Sequence, residues 1–125
     1  MKTENINWKF ISVLNLIVII YLSFFILPGS DEIPPIIPHL DKIGHFILYG
    51  FQALSLFMLL KQHNFIKPNI VVTITCFIIG TIIEYLQPVL TSNRVFDFFD
   101  IIANLTGVLT SLIVIKLILL KKVKR

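Results

Sequence analysis

Charge is the scarcest property of this chain. Of 125 residues, 14% are Asp, Glu, Lys or Arg and 56% are hydrophobic. Soluble domains carry about a quarter charged residues, so a mean hydropathy of +0.89 excludes an ordinary soluble globule. Cysteine is nearly missing as well. Cys76 is the sole thiol, which excludes an intramolecular disulfide, and its apolar setting reads as a small core or lipid-facing residue. No internal repeat, low-complexity tract or linker divides the sequence, so residues 1–125 read as a single domain.

What is there instead is four apolar runs, at about 10–27, 43–60, 70–86 and 101–120. Each is 17 to 20 residues long, and a membrane-spanning helix needs about 20. The expected fold is all-α, an integral membrane bundle of four transmembrane helices. The first run has the look of a secretory signal, but LPGSD after it lacks a small-x-small cleavage site, so it reads as a retained span. The first and fourth runs show no polar face. The second carries His45, Tyr49, Gln52 and Ser55 and is expected to be the most enclosed. The third, IVVTITCFIIGTII, has the β-branched content of a strand, yet a lone strand in lipid leaves its backbone unpaired, so a helix is expected. Gly80, Thr81 and Gly107 are small enough to let helices approach closely.

Basic residues give an orientation. Lys2, Lys9, Lys61, Lys67, Lys116, Lys121, Lys122, Lys124 and Arg125 fall on one side of the four spans, and Lys42 and Arg94 on the other. Nine against two predicts both termini in the cytoplasm of a bacterial inner-membrane, multi-pass protein. The net charge of +4 is then a topology signal and an attraction to anionic membrane lipids, with no nucleic-acid surface implied. The first outer loop holds Pro28, Pro34, Pro35 and Pro38, which favour extended or turned backbone, and its Ile33, Ile36 and Ile37 suit a position on the outer leaflet or over the bundle mouth.

The polar residues of the spans collect at one end. Span two starts there with Asp41, Lys42, His45 and Tyr49, and Asp41, His45 and Tyr49 share a face. Span three ends there with Glu84 and Gln87, just before Pro88 breaks the run. Span four starts there with Arg94, Asp97, Asp100 and Asn104. Read as a helix from about Val95, it places Asp97, Asp100, Asn104 and Gly107 on one face. Ionisable groups gathered at one membrane depth mark a ligand or catalytic site, because an unpaired charge in hydrocarbon is costly. Interhelical ion pairs that only fix the bundle are the structural alternative. Four acids against Lys42, Arg94 and a titratable histidine leave excess negative charge, which a retained proton or a bound divalent cation would offset.

Three motifs, DKIGHFILYG at 41–50, IEYLQP at 83–88 and RVFDFFDIIANLTG at 94–107, together resemble the VanZ-like family of small bacterial membrane proteins, whose namesake is a teicoplanin-resistance accessory protein. The family's Asp-Lys and His pattern falls on Asp41, Lys42 and His45, its Glu and Gln on Glu84 and Gln87, and its final series on Arg94, Asp97, Asp100, Asn104 and Gly107. The resemblance implies a cell-envelope role and, in the named member, reduced glycopeptide susceptibility.

Three function classes follow. In a binding or accessory protein, Asp41, Lys42, His45, Tyr49, Glu84, Gln87, Arg94, Asp97, Asp100 and Asn104 would line an outer-leaflet pocket for a lipid-linked or peptidoglycan-related molecule. In a membrane-embedded hydrolase or transferase, His45 would be the general base, Asp97 or Asp100 its orienting group, and Glu84 a general acid or metal ligand. No serine or cysteine in the motifs is an evident nucleophile, so such an enzyme needs activated water or a metal on His45, Glu84 and Asp100. One histidine with carboxylates is a weak metal signature, and no cofactor is expected. The third class is a purely structural partner subunit. Transport needs repeated halves, which a single copy lacks and a homo-oligomer would supply.

Overall fold

A computed structural model describes residues 6–25, 39–92 and 94–123. The proline-rich stretch with Ile33, Ile36 and Ile37, and the tail charges Lys2, Lys124 and Arg125, lie outside them. The described chain is four helices with no strand: α1 (Trp8–Phe25), α2 (Leu40–Gln62), α3 (Pro68–Leu90) and α4 (Phe98–Val123). All four are long and apolar enough to cross a membrane. Their outer faces carry Phe10, Ile17, Ile47, Ile74, Ile113 and Ile118, each at least half exposed, a surface that lipid covers and water does not tolerate. The protein is a multi-pass membrane protein.

α2, α3 and α4 each run a few residues past their apolar runs at both ends, and α1 starts two residues before its own. α3 opens on Pro68, where a missing N–H costs nothing in the first turn. It also continues through Pro88 to Leu90, so the break expected at that proline does not occur. Pro88 sits within the last turn, and the carbonyl of Gln87 is satisfied by the Thr91 N–H (2.9 Å) and hydroxyl (2.7 Å). α4 begins at Phe98 rather than Val95. Asp97 precedes the helix, and its Oδ1 accepts the Phe99 N–H at 2.8 Å, making it the N-cap.

α2 is the hub: it packs on α1, α3 and α4, whereas α1 and α4 do not meet among the described residues. The α2–α4 contact is backbone on backbone. A Cβ on Gly107 would overlap the Phe46 carbonyl, and one on Gly50 would lie 3.1 Å from the Gly107 carbonyl oxygen. Tyr49, Ala53, Phe57, Val72, Cys76 and Val108 form the dry centre, which settles Cys76 as a core residue.

The first span does have a polar face, contrary to its reading from the sequence. Ser12, Asn15, Ile19 and Ser23 are all buried, at helical steps of three and four. Asn15 Nδ2 donates to Gln52 Oε1 (2.8 Å) and to the Leu48 carbonyl (3.1 Å), and Gln52 Nε2 donates to Ser12 Oγ (2.9 Å). This neutral clamp fixes α1 to α2.

Candidate functional site

The start of α2, the end of α3 and the start of α4 come together at one end of the bundle. Chain parity requires this, and the glycine contact brings α2 and α4 within reach of short side chains. Lys42 is the centre of the outer layer. Its ammonium donates to Asp97 Oδ2 (2.8 Å), Asp41 Oδ2 (3.0 Å) and Asp100 Oδ1 (3.2 Å), so all three N–H bonds are occupied. That contact holds the Asp97 carboxyl below the usual carboxylate range, helped by the Phe99 N–H.

Exposure falls steeply inward. The side chains of Asp41, Asp97 and Lys42 are 48%, 36% and 27% exposed, whereas those of His45 and Asp100 are 12% and 7%. Asp100 therefore spans the two layers, giving Oδ1 to Lys42 and turning Oδ2 toward His45. The separation from Oδ2 to His45 Nε2 is 3.6 Å, too long for a hydrogen bond. The other ring nitrogen is held firmly: Nδ1 lies 2.9 Å from Asn104 Oδ1. An amide oxygen only accepts, so the proton is on Nδ1 and, in the neutral ring, the Nε2 lone pair faces the carboxylates.

Glu84 completes the inner layer from α3. Its Oε1 accepts the Asp97 backbone N–H at 2.9 Å, tying the end of α3 to the entrance of α4. Its Oε2 is buried and has no partner among the described residues, and neither do Tyr49 Oη and Asn104 Nδ2. Tyr49 stacks loosely below His45, with ring centroids 6.3 Å apart. Gly80 makes the room for this arrangement: a Cβ there would come 2.9 Å from Asn104 Nδ2 and 3.1 Å from Tyr49 Cε1.

Of the residues singled out from the sequence, Asp41, Lys42, His45, Glu84, Asp97, Asp100 and Asn104 form one connected network, with Tyr49 beneath it. Gln87 stands apart: it turns toward α1 and donates to the Ser23 carbonyl (3.1 Å), so it acts as a tether. Arg94 lies in the α3–α4 connection, is half-buried and has a partner. Asp97 is the cap of α4 and not a residue of its face, a role that its position three residues before Asp100 did not distinguish. The Ser12–Asn15–Gln52 clamp was missed on the α1 side, although the buried polar spacing was there to be read. Among the described residues, two groups have donor atoms within 4.8 Å of one another: Asp41, Asp97 and Asp100, and His45, Glu84 and Asp100.

The VanZ/LLP1 family profile matches residues 2–120. The chain belongs to the VanZ/LLP1 family. Membership places it among cell-envelope accessory membrane proteins, and the match covers α1 to α3, α4 as far as Leu120, and every residue of the network. No curated protein and no solved structure matches the chain significantly.

Proposed function

We propose that this VanZ/LLP1 protein is an accessory protein of the bacterial inner membrane whose polar end faces outward and binds the head of a lipid-linked or peptidoglycan-related envelope molecule. The basic residues support that orientation. Lys61, Lys67, Lys116, Lys121 and Lys122 lie at the end of the bundle opposite the network, where the positive-inside bias puts the cytoplasm. The observation that carries the reading is the set of buried network atoms with no partner among the described residues: Glu84 Oε2, Tyr49 Oη and Asn104 Nδ2. Buried groups of this kind are costly unless something occupies them, so they mark where a ligand docks. A link to glycopeptide susceptibility belongs to the same reading, since such drugs act on precursors at the outer face.

A second reading has one specific observation behind it. His45 is oriented through Nδ1 with its other nitrogen beside a carboxylate, the posture of a general base. His45→Gln separates the two. The binding role predicts normal membrane abundance, a weakened glycopeptide phenotype and a chemically unchanged precursor pool by mass spectrometry. Loss of a product from that pool establishes catalysis instead. A fall in abundance with no ligand to be found reduces the network to a structural element.

A further inference from the structure

The two acidic groups at this end of the bundle are in different conditions. Asp41, Asp97 and Asp100 already surround a cation, the Lys42 ammonium, at 2.8 to 3.2 Å. His45, Glu84 and Asp100 have donor atoms within 4.8 Å of one another, and among the described residues no ammonium or guanidinium bonds His45 or Glu84. Asp100 belongs to both groups, one oxygen to each.

Three features of the second group point the same way. The first is the orientation of His45. With Nδ1 committed to Asn104, the ring turns Nε2 toward two carboxylates, so that one nitrogen and two acids converge on one point. Metal-bound histidines are fixed in this manner, with the far nitrogen donating to an oxygen. The second is distance. The 3.6 Å from His45 Nε2 to Asp100 Oδ2 exceeds a hydrogen bond. It is close to the roughly 3.0–3.4 Å that separates neighbouring ligands on an ion with bonds of about 2.1 Å. The third is the carboxylate of Glu84. It is 1% exposed, one oxygen is used by Asp97, and Oε2 has no partner among the described residues.

We infer that His45 Nε2, Glu84 Oε2 and Asp100 Oδ2 form a divalent-cation site, with Asn104 as its positioning residue. The donor set, one imidazole and two carboxylates, suits Mn²⁺, Zn²⁺ or Mg²⁺ better than soft ions. Three protein ligands leave at least one coordination position open, and a phosphate oxygen fits it. The inference rests on the head-binding reading above and sharpens it. Lys42 has no N–H left for an anion, so the cation is what lets an acid-rich site accept an anionic head. The ligand class is then a phosphate-bearing lipid.

The test uses the full chain in phosphatidylcholine nanodiscs, stripped with chelator and titrated with Mn²⁺ alone under electron paramagnetic resonance. One bound ion per chain is expected, with hyperfine coupling to isotopically labelled histidine nitrogen. Glu84→Gln keeps the acceptor for Asp97 and should lower the affinity at least about tenfold. His45→Gln should remove the nitrogen coupling. Gln52→Leu, in the neutral clamp outside the network, should leave affinity within about twofold. Absence of stoichiometric binding overturns the inference, and so does equal weakening by Gln52→Leu and Glu84→Gln, or nitrogen coupling that survives His45→Gln. A second titration adds phosphatidic acid to the discs. Lipid phosphate held equally well in chelator preserves the head-binding reading and overturns the cation. A bound ion with no preference for lipid phosphate upholds the cation site and removes that reading.

Discussion

Two buried polar groups share helix α2 and could hardly differ more. The Ser12–Asn15–Gln52 clamp is neutral, and none of its buried side-chain atoms lacks a partner among the described residues. The network one to three turns away is charged and leaves three buried atoms, of Tyr49, Glu84 and Asn104, without a partner among the described residues. Both cost desolvation; only the first recovers it within the chain. The clamp is what a membrane bundle needs to fix one helix against another. The network keeps a deficit that packing alone does not explain. Buried polarity in a membrane is thus weak evidence of function until its hydrogen bonds have been accounted for.

The comparison breaks most completely if α2 and α4 are separated. Gly107→Ala puts a methyl group into the Phe46 carbonyl, so the helices must part and the network disperses. A loss of about 3 kcal/mol, or of the folded protein altogether, is expected in a thermal-unfolding assay monitored by size exclusion. Normal stability in that variant would mean that the close contact is not what assembles the site.

A crossed pair sharpens the contrast. Gln52→Leu strips the clamp and should cost about 1 kcal/mol of stability while leaving ligand binding intact. Glu84→Gln should do the reverse, shifting stability in chelator by less than about 0.5 kcal/mol while binding is lost. If the two variants behave alike in unfolding and binding assays, the division into glue and site is wrong.

The smallest effect concerns pH. Lys42 and the Phe99 N–H depress the Asp97 pKa below its ordinary 3.8. A depressed carboxylate contributes stability above its unfolded value and loses it as pH falls through the folded one. The wild-type advantage over Asp97→Asn should therefore be constant from pH 7 to about 4 and shrink below that. Melting temperatures of both proteins across that range check it, and an advantage that persists at pH 2 would show that the charge is not its source.

Helix number and placement were legible because hydrocarbon imposes one rule on every residue of a span. The convergence of Asp41, Glu84 and Asp100 was legible too, from the parity of the chain, which also led Arg94 to be expected among them. Details that depend on one turn of backbone were not. Pro88 has the look of a stop, yet at the end of α3 it removes a bond that a final turn can lose. Asp97 and Asp100 are indistinguishable by type, and only the starting point of α4 makes one a cap and the other a bridge. Gln87 shares a motif and a helix face with Glu84 but reaches α1 while Glu84 reaches the entrance of α4, so the motif grouped two residues with different partners. Asn15 was hidden because one amide in an apolar run hardly changes its hydropathy.

The Lys42 contacts also bear on how the protein is made. Its two inner counter-charges, Asp97 and Asp100, come 55 and 58 residues later in the chain. With the proposed orientation, the lysine enters the membrane ahead of the helix that carries both acids. Until α4 inserts, Asp41 is the only one of its three counter-ions in place beside it. The last helix therefore closes the bundle during biosynthesis, and a nascent chain stalled before residue 97 presents an open, charged seam to the insertion and quality-control machinery.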